Sequence, residues 1–179
     1  PERPCGVLAD ALTRGVEPRV DRRQVLMVVS DPAELGPADG RVRRARPDDL
    51  DELVPIVTAY RVEDGLSRPQ DDPVSWVRSH VRERIELGMI HVLADRGRIV
   101  FTGAFNFLGT AGAGLGGIYT VPEVRGRGIG AQATAALCRT AFASAPSVSL
   151  HVDERNAAAR RCYAKAGLRE IGHFRLTFR

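Results

Sequence analysis

Between Val121 and Leu137 the chain reads VPEVRGRGIGAQATAAL. Gly126, Gly128 and Gly130 fall on alternate positions, with Arg125 and Arg127 among them, at the mouth of an alanine-rich helical stretch. A strand-to-helix connection needs one glycine at most, and glycine weakens a helix start. What the spacing provides is bare main chain. Without Cβ atoms, the oxygens of an anion can approach several N–H groups at once, at the positive end of the helix dipole. Arg125 and Arg127 would add charge; the plainer reading is a tight turn with solvated arginines. Two rival phosphate loops fail. No Gly-Lys-Ser/Thr closes the turn, and the glycines miss the Gly-x-Gly-x-x-Gly spacing of a dinucleotide fold.

A second stretch, LHVDERNAAARRCYAKAGL at 150–168, can also carry chemistry. Asn156 before AAAR is a good helix N-cap. Ala159, Cys162, Tyr163 and Ala166 form an i, i+3, i+4, i+7 stripe, which by itself makes Tyr163 a core residue. Cys5, Cys138 and Cys162 lack metal-ligand spacing, so we expect no metal and read them as reduced thiols of a cytoplasmic protein.

These stretches need a scaffold. RPCGVLADALTRG at 3–15 predicts a short helix, QVLMVVS at 24–30 a strand buried on both faces, and DPAELGPADG at 31–40 a linker. RVRRARP predicts an edge-like strand. DDLDELVPIVTAY predicts a helix with acids in its first turn and, at Pro55, a kink or the cap of a short first turn. After a polar loop at 62–72, Val74, Val77, Val81 and Ile85 mark another helix. IHVLAD, RIVFTGAFNFLG and LGGIYTV predict an antiparallel meander. Helix 129–144, strand 148–152, helix 156–166 and a closing strand with alternating Phe174, Leu176 and Phe178 complete the order. The class is α/β, a mixed and mostly antiparallel sheet with helices on both faces.

The chain of 179 residues, 44% hydrophobic and 27% charged, suits one domain with an appendage. No apolar run approaches the roughly 20 residues of a membrane span, and PERPCGVLAD is no signal peptide. Starting at Pro1, the chain is read as processed or as part of a longer product. The net charge of +4 comes almost wholly from arginine, Lys165 being the only lysine, with no basic block interleaved with aromatics. We therefore expect neither nucleic acid nor membrane as a partner.

Arg125-x-x-Gly128-x-Gly130-Ala131, following a strand and the Val121-Pro122-Glu123 turn, resembles the pyrophosphate loop of the GNAT superfamily of acyl-CoA-dependent N-acetyltransferases. The segment from His151 through Asn156 and Tyr163 to Gly167-Leu168 resembles that family's second motif, and the segment order over 41–179 fits its fold. The combination is similar to a tandem-domain, actinobacterial-looking branch. Residues 1–40 would then be the remnant of a preceding similar domain, and 41–179 the acetyltransferase domain.

The resemblance implies acetyl-CoA or another short acyl-CoA as co-substrate, an unidentified amine as acceptor, and a monomer or homodimer. It places the pyrophosphate on Arg125, Gly126, Arg127, Gly128, Ile129, Gly130 and Ala131. The pantetheine arm would enter a splay beside Ile118, Tyr119, Thr120 and Val121, where an N–H near Tyr119 or Thr120 faces the thioester oxygen. Asn156 matches an asparagine near the pantetheine. Tyr163 matches the tyrosine that protonates the coenzyme A thiolate, a role that suits a phenol of pKa about 10. His151 stands where several relatives carry an acidic base; it either accepts the amine proton or is a satisfied structural residue. Tyr60, Arg61, Glu63, Asp64 and Trp76 are candidates for the acceptor wall. The alternative is a non-catalytic acyl-CoA-binding or regulatory module of the same fold.

Overall fold

The computed structural model describes residues 20–65 and 74–178. The helix expected at 3–15 and Cys5 lie outside them. The strands are β1 (Val20–Val29), β2 (Arg43–Arg44), β3 (Ile90–Asp95), β4 (Arg98–Gly109), β5 (Gly112–Thr120), β6 (Val148–Asp153) and β7 (Arg169–Phe178). The helices are α1 (Leu50–Glu63), α2 (Val74–Glu86), α3 (Ile129–Ala141) and α4 (Ala157–Ala166). One seven-stranded sheet runs β2-β3-β4-β5-β6-β1-β7. Every pairing is antiparallel except β5 with β6. The meander β3-β4-β5 and the edge position of β2 follow the sequence expectation.

Two apolar layers flank the sheet. On one face α3 and α4 press Leu137, Ala141, Tyr163 and Ala166 onto Phe101, Phe105, Val25 and Leu150. On the other, Leu53, Val77, Val81 and Ile85 of α1 and α2 cover Ile90, Val92 and Ile99. With Pro55 inside it, α1 runs on to Glu63, past the start expected for the polar loop. Val74, placed on the apolar stripe by its spacing, is instead 65% exposed in the first turn of α2.

Residues 20–29 form a strand of the sheet itself. β1 lies between β6 and β7 and pairs with both. Its Val25, Met27 and Val29 are fully buried, while Leu26 and Val28 on the opposite face are only half-buried. Covering on both faces was expected there, but α1 and α2 pack over β3 and β4, and among the described residues no helix covers that face of β6-β1-β7. Phe174 of β7, opposite Gln24, is 45% exposed for the same reason. The linker after β1 crosses the end of α4, where the Gly36 N–H donates to Ala166 O at 3.2 Å.

The one parallel pairing is short. Only Ala113–Leu115 pair with Val148–Leu150. Beyond Leu115, β5 carries a bulge, since Ala104 pairs with Gly116 while Thr102 pairs with Tyr119. Gly117 within it has φ +58°, a left-handed conformation that glycine adopts without strain. The bulge leaves Gly116–Thr120 and His151–Asp153 unpaired with each other, and the sheet opens between them.

Candidate active site

The opening is a cleft of about 460 Å³. The end of β5, the glycine turn, β6 and the face of α4 line it, with Tyr60, Glu63 and Asp64 from the end of α1.

The glycine turn is built as its spacing suggested, although each glycine has its own reason. Gly126 and Gly128 have φ +79° and +83°, and Gly128 is the N-cap of α3. Gly130 has ordinary helical geometry, but a Cβ there would come within 2.9 Å of Thr120 Oγ1 and 3.1 Å of Cys162 Sγ. Glycine at 130 thus lets the start of α3 sit close against β5 and α4. In front of Gly126 a Cβ would meet nothing within 4 Å. Among the described residues, no backbone oxygen accepts from the N–H groups of Gly126 to Ala131; the first donor of the helix ladder is Gln132, to Gly128 O at 3.1 Å. A row of unpaired amides at a helix start, facing open space, fits a diphosphate.

Along β5, the Val121 N–H donates to Val100 O of β4 at 3.0 Å. Successive residues of an antiparallel strand turn their polar groups to opposite edges. The N–H and C=O of Thr120 therefore face the gap, and those of Tyr119 face β4. The Thr120 carbonyl accepts from Arg125 Nε at 2.9 Å. Its N–H is the donor aimed into the opening.

Most of the residues expected to bind a cofactor meet at the cleft: Ile118, Tyr119, Thr120, Arg125, Gly126, Gly128, Ile129, Gly130, Ala131, Asn156 and Tyr163 all line it. Val121, packed against the core, and the exposed Arg127 do not. Arg125 is not a free cation for a phosphate. Its two terminal nitrogens donate to the Glu63 carboxylate at 2.8 Å each, and its guanidinium lies 5.0 Å over the Tyr119 ring. The Tyr119 hydroxyl donates to the same carboxylate at 3.0 Å. Arg125 thus clasps the end of α1 to the start of the glycine turn, and its hydrogen bonds hold Glu63 below the usual carboxylate range.

Asn156 caps α4, its Oδ1 accepting from the Ala159 N–H at 3.0 Å, while it also lines the cleft. Tyr163 is 8% exposed, at once part of the core stripe and of the cleft wall. Burial, then the neighbouring Cys162, Tyr60 and Asp64, push its phenol well above the ordinary tyrosine range. Tyr60, across the cleft, is pushed up to about 12, chiefly by burial. His151 is exposed on β6 and lines the cleft, its ring edge-on to Phe174 at 5.0 Å.

Of the expected acceptor wall, Tyr60, Glu63 and Asp64 reach the cleft. Arg61 and Trp76 do not: Trp76 stacks on His80 at 5.1 Å with Arg61 4.8 Å over its ring. Arg22 and Gln24 were not anticipated. Gln24 lines the cleft, and the Arg22 Nη1 donates to Asp64 O at 2.7 Å. No local motif announces either, because the position of β1 in the sheet is what brings them there. Among the described residues, no group of three or more His, Cys, Asp or Glu is placed to hold a metal, and no helix is long and apolar enough to cross a membrane.

A profile of the acetyltransferase (GNAT) family matches residues 52–168. The glycine turn, the splayed strands and the Asn156–Leu168 segment all fall inside that span, and the chain belongs to the GNAT acetyltransferase family. No curated protein sequence matches it. Among solved structures, it is similar to a GNAT-family acetyltransferase from Colwellia psychrerythraea (TM-score 0.67, 18% identity, 89% of this chain and 57% of that one). A putative GNAT-family acetyltransferase from Novosphingobium aromaticivorans gives 0.66 at 21% identity, covering 90% of this chain and 65% of that one. A predicted acetyltransferase from Clostridium acetobutylicum, solved with acetyl-CoA, gives 0.57 at 19%, covering 73% of this chain and 90% of that one. At these identities the likeness is one of fold. The chain spans less than two thirds of the length of the first two.

Proposed function

We propose that the protein transfers an acetyl or other short acyl group from coenzyme A to a primary amine. The observation that carries this reading is the row of unpartnered amides from Gly126 to Ala131, opening onto the same cleft as the Thr120 N–H and the Tyr163 phenol. Gly126 to Ala131 hold the diphosphate, and the unpaired edge of β5 from Ile118 to Thr120 receives the pantetheine amides. Asn156 stands beside that arm. The Thr120 N–H donates to the thioester oxygen, where negative charge builds as a neutral amine attacks the carbonyl carbon. One such donor lowers the barrier by about 3 kcal/mol. The tetrahedral adduct expels the thiolate, and Tyr163 gives it a proton. Burial suits Tyr163 to that task, because the phenol stays protonated above the ordinary tyrosine range.

The amine comes from the side of Tyr60, Asp64 and His151. Glu63 is engaged by Arg125, so the acceptor wall is less acidic than the run VEDG suggests. Residues 1–40 are proposed to derive from a preceding similar domain. Calorimetry with acetyl-CoA, followed by thiol release across a panel of small and peptide amines, tests the function. Binding with amine-dependent thiol release is expected. Tight binding without turnover would select a non-catalytic acyl-CoA-binding module, and no binding would refute both.

A further inference from the structure

We infer that Asp64, held at the cleft by Arg22 of β1, accepts the proton that the acceptor nitrogen loses as the amide bond forms. The inference rests on the transferase reading above. Among the described residues, three carboxylates line the cleft, those of Glu63, Asp64 and Asp153, and each has an arginine beside it. Glu63 accepts two hydrogen bonds from Arg125. Asp153 accepts from the main-chain N–H, Nε and Nη2 of Arg155, at 2.8, 3.2 and 3.1 Å. These hydrogen bonds hold both groups below the carboxylate range and make them poor proton acceptors.

Asp64 is held differently. The Arg22 Nη1 donates to its main-chain oxygen at 2.7 Å and stays 3.7 Å from its carboxylate. Among the described residues, no hydrogen bond reaches that carboxylate. The guanidinium fixes the backbone at the end of α1 and leaves the side chain free to take a proton. Its own position is costly: the Arg22 side chain is 9% exposed, and its Nε and Nη2 have no hydrogen-bond partner among the described residues. The charged groups around Asp64 come from three elements. Burial raises it most; Arg22 of β1 lowers it, and Asp153 of β6 and Glu63 of α1 raise it further. Its charge in turn raises the phenols of Tyr60 on α1 and Tyr163 on α4. The proton donor and the proton acceptor thus share one field in one cleft. His151, exposed and set against Phe174, serves as wall.

The protons and electrons balance. The lone pair of the neutral amine forms the C–N bond, and the carbonyl π pair moves onto oxygen. The nitrogen, now positive, loses a proton to the Asp64 carboxylate. The oxygen pair re-forms C=O as the C–S bond breaks toward sulfur, and the thiolate takes the Tyr163 proton. Solvent returns the proton from Asp64 to the phenolate, so the net transfer is from nitrogen to sulfur.

The experiment follows thiol release from acetyl-CoA against pH, with glycinamide as acceptor and with water alone when the amine is omitted. Wild-type protein shows an acidic limb set by Asp64. Asp64→Asn removes that limb and lowers kcat about 100-fold, while calorimetric affinity for acetyl-CoA stays where it was; Asp64→Glu restores part of the rate. Arg22→Met moves the limb to higher pH, because the lost cation had favoured the ionised carboxylate. His151→Gln keeps the limb. Wild-type turnover and pH profile in Asp64→Asn, or loss of the limb in His151→Gln, overturns the assignment while leaving the transferase intact. Should Asp64→Asn fail to fold, an unmoved limb in Arg22→Met overturns it equally. Wild-type protein that binds acetyl-CoA but releases no thiol with either nucleophile refutes the transferase reading, and this role with it.

Discussion

On the side proposed for the cofactor, Gly126 and the four residues from Gly128 to Ala131 line the cleft, their N–H groups accepted by no described backbone oxygen, and neighbours in sequence are neighbours in the site. On the side proposed for the acceptor, Arg22 meets Asp64 across 42 positions and Arg125 meets Glu63 across 62. One wall is backbone whose geometry glycines permit. The other is side chains whose charges depend on which arginine grips which carboxylate, and how. A cofactor that is the same for every acceptor suits the first construction. The second can change by one substitution.

Substitutions can break each wall separately, and the largest effect belongs to the backbone. Gly128→Glu forces a side chain into a φ of +83° and adds a carboxylate at the helix start. Calorimetry should find acetyl-CoA affinity reduced about 1000-fold in a protein whose circular dichroism is unchanged. Tyr163→Phe comes next. Turnover should fall about 100-fold with binding kept, and the wild-type rate should not decline through the ordinary tyrosine range, since burial moves that titration upward.

Glu63→Ala releases Arg125 from its clasp. Because that pair is about half exposed, its direct worth is roughly 0.5 kcal/mol. The expected result is about a 3-fold weaker acetyl-CoA affinity from a looser turn, read by calorimetry. Arg127→Ala should cost about 2-fold at low salt and nothing at high salt, because Arg127 is exposed and outside the cleft. A fixed loss at all salt concentrations would mean that the arginine touches phosphate.

The mildest effect concerns stability. Asp64 is raised when folded, so its contribution is fully present below the unfolded value of about 3.9 and is lost as pH rises through the folded one. Asparagine imitates the protonated form. Asp64→Asn should therefore melt about 2 °C higher than wild type at neutral pH, with the difference vanishing near pH 4. Equal melting temperatures throughout would mean that the carboxylate is well solvated.

The same contrast explains what the sequence made legible. The glycine turn, Asn156 and Tyr163 could be read because local order places them: strand, turn, helix start, and again strand, cap, helix. Arg22 and Gln24 could not, since the continuous apolar run of 25–29 hides the alternation of the strand's two faces and does not tell which strands will flank it. Val74 was misjudged for a related reason. Periodicity marks a face, and only the packing of other elements decides whether that face is covered.

The proposed seat of the diphosphate is the bare main chain between Gly126 and Ala131. A nitrogen-15 NMR titration with coenzyme A addresses it most directly. Coenzyme A should move the amide signals of Gly126, Gly128 and Gly130 together, saturating with one dissociation constant, and in Gly128→Glu the signals of Gly126 and Gly130 should stay still. Coenzyme A that binds while leaving those signals in place would contradict it.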